Sequence, residues 1–404
     1  MMNKLFKFLI ELFQKNWIIG IIAFVIISII SLLEPINPVK DENYMIYEIY
    51  KFSQLGFWGH IQNIKTQQGP LFYYIMGLLM KIFDLNLTDL RIINCVVSAL
   101  FIVVILKIFE LQKTNKFYTF LVFLNPYFLM LTAPLIYNDN LPLLCLFTGF
   151  LCYLKEKHFI SIIFFSMACL MRQNLIFAPA AIFFVEVLLS YKKIEWNKII
   201  YLVPVLVLFT LFYIWGGRLS SPSLYKNLAF ITTIKGFNFN IFEIIKAIEY
   251  QLILLSIFAL PQIILSFKYD KKLLWLMFTV VILFSVFPPT HINFKFHQYL
   301  SMYNYGGYLD QFLSKFYWFA IPLSGILVAT FLNQFKTFNL FKYSKIQLII
   351  LVFIFLNLLF YSLTPFWDKY YVMMGVFIPL LLSDNVKLEN KSTLANNHPS
   401  LLKT

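Results

Sequence analysis

The feature that most constrains this chain is a series of apolar blocks, each roughly 15–20 residues long, separated by short clusters of lysine. A block of that length crosses the hydrocarbon core of a bilayer as a helix. Unbroken apolar runs, rather than alternating ones, select helices over strands, and within lipid only helices and closed barrels satisfy every backbone polar group. The spans fall at roughly 17–33, 88–106, 118–136, 141–154, 159–171, 175–191, 199–215, 248–267, 273–287, 316–333, 346–363 and 370–383, about twelve in all. The expected fold is therefore all-α, a polytopic helical membrane protein. With 60% of its 404 residues hydrophobic and 13% charged, the chain carries more apolar surface than a soluble domain hides.

The lysines set an orientation. With the N-terminus in the cytoplasm, Lys4/Lys7/Lys15, Lys107/Lys113/Lys116, Lys155/Lys157, Lys192/Lys193/Lys198, Lys268/Lys271/Lys272, Lys336/Lys342/Lys345 and Lys387/Lys391 all face inward. Each inward connection then carries at least two lysines, as the positive-inside rule requires. The net charge of +14 is thus a topology signal facing anionic lipid and not a nucleic-acid surface. Cys95, Cys145, Cys152 and Cys169 lie within or against spans, so neither a disulfide framework nor a metal site is indicated. The N-terminal basic stretch lacks a small-residue cleavage site at Glu34-Pro35-Ile36-Asn37-Pro38 and is read as leading into a retained anchor. Residues 1–383 form one transmembrane domain in this reading, and 384–404 a disordered cytoplasmic tail.

All long polar loops, about 34–87, 216–247 and 288–315, then fall on the exoplasmic side. The first contains Asp41-Glu42, an acidic pair just beyond the first span. Carboxylates are costly beside a bilayer, which makes this pair a functional candidate. Tyr44, Ile46/Tyr47, Tyr50 and Leu55 recur at helical spacing and predict an interfacial helix over 42–55. A second helix is expected over 70–83. Asn138/Asp139, Arg172/Gln173, Arg218, His291/His297 and Asp368/Lys369/Tyr370 gather on the same side. Polar chemistry confined to one face suits an enzyme working at the outer membrane surface, whereas a transporter tends to place polar groups near mid-span.

This layout resembles the GT-C superfamily of polytopic glycosyltransferases, in which an Asp, often followed by Glu, opens a long outer loop after the first span. Asp41-Glu42 stands in that place, and Gln68-Gly69-Pro70-Leu71-Phe72-Tyr73 is similar to a segment of the protein O-mannosyltransferase and aminoarabinose-transferase branch. A narrower resemblance is to the dolichyl-phosphate-glucose-dependent terminal glucosyltransferases of lipid-linked oligosaccharide assembly. It rests on Asp41-Glu42-Asn43-Tyr44-Met45, Trp58, Thr66 to Tyr73, Met171-Arg172-Gln173-Asn174 and Asp368-Lys369-Tyr370-Tyr371. Met45 stands where that family has His, the Pro-Gly order is inverted, the Thr of the Arg-Gln motif is missing, and Lys369 replaces Arg. The resemblance implies a polyprenyl-phosphate-sugar donor, a lipid-linked glycan or other glycoconjugate acceptor, and inversion at the anomeric carbon.

Such transfer needs a base for the acceptor hydroxyl, groups that neutralise the departing phosphate, and surfaces that orient two sugars. Asp41 is the candidate base; its alternative role is to cap the helix that follows. Glu42 is either a second catalytic carboxylate, a loop charge or a partner for Arg or Lys. Arg172, in a connection of about three residues between spans, suits phosphate. Its alternatives are outward snorkelling or an ion pair with Asp41 or Asp139. Gln173, Trp58 and Gln68 are expected to contact substrate, and Lys369 and Tyr370 either to contact sugar or phosphate or to anchor the last span at the interface. Asp139 is read as an acceptor or metal contact or a turn residue, and Arg218 after Gly216-Gly217 as a ligand contact or a plain turn. The spacing of six between His291 and His297, with no third ligand nearby, argues against zinc and leaves His291 as a substrate contact or a solvated loop residue. The sequence identifies no cofactor, and a divalent metal is an open alternative that no residue pattern indicates. The alternatives are an O-antigen polymerase or ligase, and a lipid or solute transporter without transfer chemistry. The expected location is the plasma membrane of a bacterium or the endoplasmic reticulum of a eukaryote, with both termini cytoplasmic.

Overall fold

The computed structural model describes residues 16–35, 37–38, 42–65, 68–114, 116–119, 123, 128–189, 196–218, 221–223, 241–266, 271–287, 316–333, 343–363 and 373–382. Among these residues the chain is all helical, with no strand. By contacts it divides into two compact units, residues 1–110 with 122–236, and residues 111–121 with 237–404.

The first unit begins with α1 (Asn16–Leu33), followed by α2 (Glu42–His60), α3 (Pro70–Phe83) and α4 (Leu87–Leu111). After a turn-rich passage come α5 (Asn140–Leu154), α6 (His158–Met171), α7 (Phe177–Leu189) and α8 (Val203–Ile214). Of these, α1 and α4 are long and apolar enough to cross a membrane; α3, α5 and α6 are shorter apolar helices. α2 packs on α3, and α6 packs against α3, α5 and α8.

The helix expected over 70–83 is found at those bounds, opened by Pro70, whose missing N–H costs nothing in a first turn. The interfacial-helix segment 42–55 is helical and runs on to His60, with a kink at Gly56, where φ is +69°. A side chain rarely adopts that backbone conformation, so glycine permits the kink. Beyond it, His60 Nε2 lies 2.7 Å from Glu48 Oε2, and the Lys65 amide donates to Glu48 Oε1 at 2.9 Å. Trp215 Nε1 donates to the Ile61 carbonyl at 2.9 Å, and Ser221 Oγ to that of Ile64. The chain after α2 is thereby fastened to the end of α8.

The apolar run 118–136 is described only in part: a 3-10 turn at Lys116–Tyr118, helical Thr119 and Phe123, a π-helix at Phe128–Thr132, and then turns through Pro134 to Asp139, so the expected helix ends at Thr132, short of residue 136. Pro134 lacks an amide hydrogen and cannot continue a helical ladder. The carbonyls left over find side chains: Asn94 Nδ2 donates to Thr132, Ala133 and Leu135 at 2.8, 3.1 and 2.5 Å, Asn140 Nδ2 to Thr132 at 2.7 Å, and Ser31 Oγ to Pro134 at 2.8 Å.

The second unit contains α9 (Ile241–Ser266), α10 (Lys271–Val286), α11 (Tyr317–Asn333), α12 (Lys345–Leu363) and α13 (Met374–Leu382). α9 is its axis, packing on α11, α12 and α13, while α10 packs on α11. The buried Gln347 donates to the Leu381 carbonyl at 2.8 Å and ties α12 to α13.

Candidate functional site

Four segments singled out in the sequence meet in the first unit. The first carries Glu42, at the start of α2. Glu42 is fully buried and grips Arg91 of α4 with both oxygens, at 2.9 Å from Nε and 2.6 Å from Nη2. Arg91 Nη1 also donates to the Pro35 carbonyl at 2.7 Å, so one guanidinium ties Pro35 to Glu42. Of the readings open for Glu42, partnership with arginine is the one seen. Arg91 itself went unnoticed in the sequence. The signal was there: a lone arginine near the start of an otherwise apolar helix needs a counter-ion.

Glu42 Oε1 also accepts the Ile136 amide at 3.0 Å, which fixes the turn leading into Asn138-Asp139-Asn140. Asp139 is buried and forms an ion pair with Arg172 Nη1. Arg172 stands where α6 ends: its backbone is extended (φ −149°, ψ 106°), and the chain turns into the 3-10 segment Gln173–Ile176. The outward-snorkelling alternative for Arg172 does not hold, since the residue is 7% exposed.

The fourth segment is Gln68 to Tyr73. The Gly69 amide donates to the Met171 carbonyl at 3.0 Å, and a Cβ at Gly69 would overlap the Leu170 carbonyl oxygen. Only glycine allows so close an approach to the end of α6. Next door, the Tyr73 hydroxyl donates to Gln68 Oε1 at 2.7 Å and lies 3.1 Å from Met45 Sδ. The contacts close a ring: Glu42 to Ile136, Asp139 to Arg172, Met171 to Gly69, Gln68 through Tyr73 to Met45, and back along α2.

The ring has unused polar capacity. Both amide atoms of Asn138, the carbonyl oxygen of Asn140 and the amide nitrogen of Gln173 are buried with no hydrogen-bond partner. Buried polar groups are nearly always satisfied, so a cluster of unsatisfied ones beside a buried ion pair invites a polar ligand. Asp139 stands at the start of α5, so its carboxylate offsets both the positive end of the helix dipole and the Arg172 charge.

Two other candidates are exposed to solvent. Trp58 is 75% exposed on α2. Arg218 is exposed, following Gly216 and Gly217, whose φ values are +68° and +78°. Asp41, His291, Lys369 and Tyr370 lie outside the described residues. Comparison with protein-family models, curated proteins and solved structures finds no match to this chain.

Proposed function

We propose that the chain is an integral-membrane inverting glycosyltransferase. It moves a hexose from a polyprenyl-phosphate sugar to a lipid-linked glycan or glycoconjugate on the exoplasmic face. The observation that carries this reading is the ring of contacts among the Glu42, Gln68–Tyr73, Asp139 and Arg172 segments. Three of these stretches, those of Glu42, Gln68–Tyr73 and Arg172, resemble glycosyltransferase motifs, and the ring carries unsatisfied amides suited to sugar hydroxyls. The membrane setting is supported by α1 and α4 and by wide exposed apolar faces, such as Ile21, Val25, Ile29 and Leu32 on α1 and Trp275, Phe278, Ile282 and Val286 on α10.

In this mechanism Asp41 takes the proton from the acceptor hydroxyl. The oxygen attacks the anomeric carbon from the face opposite the phosphate, the carbon–oxygen bond to phosphate breaks, and configuration inverts. Arg172 receives the departing phosphate charge, competing with Asp139 for it, and Lys369 assists. Asn138, Asn140 and Gln173 hold sugar hydroxyls. Glu42, clamped by Arg91, is a positioning residue and not a base.

Deleting the gene and profiling glycolipids by mass spectrometry tests the reading in the cell. One lipid-linked species should disappear while a species lighter by one hexose accumulates. The wild-type gene should reverse the change and Asp41→Asn should not. An unchanged glycolipid profile would remove the proposal.

A further inference from the structure

Four polar spacings in the first unit agree on one length. On α4 the buried Arg91 and the half-exposed Lys107 are 16 residues apart. Asp139 and Lys155, which bracket α5, are also 16 apart, and Lys157 and Arg172, which bracket α6, are 15 apart. At 1.5 Å per residue these are rises of about 22–24 Å. α1 repeats the measure through hydrogen bonds. Its Asn16 Nδ2 donates to Glu110 of α4 at 2.6 Å, and 15 residues later Ser31 Oγ donates to the Pro134 carbonyl. No Asp, Glu, Lys or Arg lies inside any of the four stretches. At one end Arg91, Asp139 and Arg172 are tied into or onto the ring. At the other, α5 and α6 turn back within Lys155-Glu156-Lys157, all three exposed, and Lys107 pairs with Glu110.

The hydrocarbon core of a typical bilayer is about 30 Å thick, and tilting a helix only lowers the height it covers. With the lysine end at one face of such a core, the ring stops about 6–8 Å short of the other. Its surroundings do not suit hydrocarbon at that depth. Asn43, beside Glu42, is exposed, as are Asp84 and Asn86 just before α4, and polar groups facing lipid are costly. We infer that the first unit is built to sit in a thin hydrocarbon layer of about 22–24 Å, and that its lipid partners are short-chain phospholipids. Their acyl chains cover Val96 and Leu100 of α4 and Phe159 and Ile163 of α6, all exposed. A layer this thin sets lipid phosphates level with Arg172. The inference rests on the membrane setting proposed above and not on transfer chemistry.

The test uses the full chain in bilayers of monounsaturated phosphatidylcholines, from dimyristoleoyl through dipalmitoleoyl and dioleoyl to dierucoyl. Trp275, Trp318 and Trp367 are changed to Phe, so that quenching by brominated dioleoyl phosphatidylcholine reports on the first unit through the exposed Trp17 and Trp58. Competition against the brominated lipid gives the relative affinity of each chain length. Affinity should peak at dipalmitoleoyl or shorter and be at least about threefold weaker for dierucoyl. A peak at dioleoyl or longer overturns the inference and leaves the chain in the membrane. No quenching by the brominated lipid overturns the inference and the membrane setting together. Replacing Lys107, Lys155 and Lys157 by Leu lengthens the uncharged stretches and should move the peak to longer chains; an unmoved peak overturns the inference. If that variant does not fold, the lipid series alone decides.

Discussion

Arg91 and Glu42 are the clearest case in which one side chain's position dictates another's. Both are nearly completely buried and lie 49 residues apart in sequence. Removing one partner strands the other charge, whereas removing both leaves none. Arg91→Met is therefore expected to destabilise the protein by about 3–5 kcal/mol, and Arg91→Met with Glu42→Leu by much less. Denaturant unfolding in detergent measures the difference, and additive losses would contradict the clamp. Gly69 makes a second prediction. Because a Cβ there overlaps the Leu170 carbonyl, Gly69→Ala should cost about 1–3 kcal/mol by overpacking and displace the end of α6 that carries Arg172. The same unfolding assay reads the loss. At this scale the sequence made Arg172, Asp139 and Gly69 visible by residue type. It could not pair Glu42 with Arg91, since nothing local records a contact made across two helices.

Elements were legible where their local signals are strong. Gly69-Pro70 followed by an apolar run marked the start of α3, and spaced aromatics marked α2. The run 118–136 misled at its C-terminal end, because hydropathy reports what a segment is buried in, not where its backbone stops being helical. There the helix gives way near Pro134, and side chains from α1, α4 and α5 take over the hydrogen bonding. Asn94 bears most of that load through three carbonyls. Asn94→Leu, similar in volume and without donors, should leave carbonyls unsatisfied at about 1–3 kcal/mol each. Faster amide exchange should follow in residues 132–136. Unchanged stability and exchange would mean that the turn holds itself.

For the molecule as a whole, the lysine pattern predicts sidedness, and the exposed turns provide places to measure it. In a cysteine-free background, Gln62→Cys should react with a membrane-impermeant thiol reagent on intact cells, and Glu156→Cys only after permeabilisation. The reverse pattern would place the Arg172 ring on the cytoplasmic side. The all-helical class of the described residues was readable because apolar blocks act over long stretches of sequence. The ring was not, because it arises from four segments that approach only in the folded chain. Its significance rests on chemistry, and the direct measurement is transfer itself. Purified protein should move radiolabelled hexose from a polyprenyl-phosphate donor to extracted acceptor lipid. Asp41→Asn should abolish transfer, and Arg172→Lys should slow it by about 10–100-fold as bidentate phosphate contact is lost, with both variants folded. Full transfer by Asp41→Asn, or none by the wild-type protein with any such donor, would contradict the account.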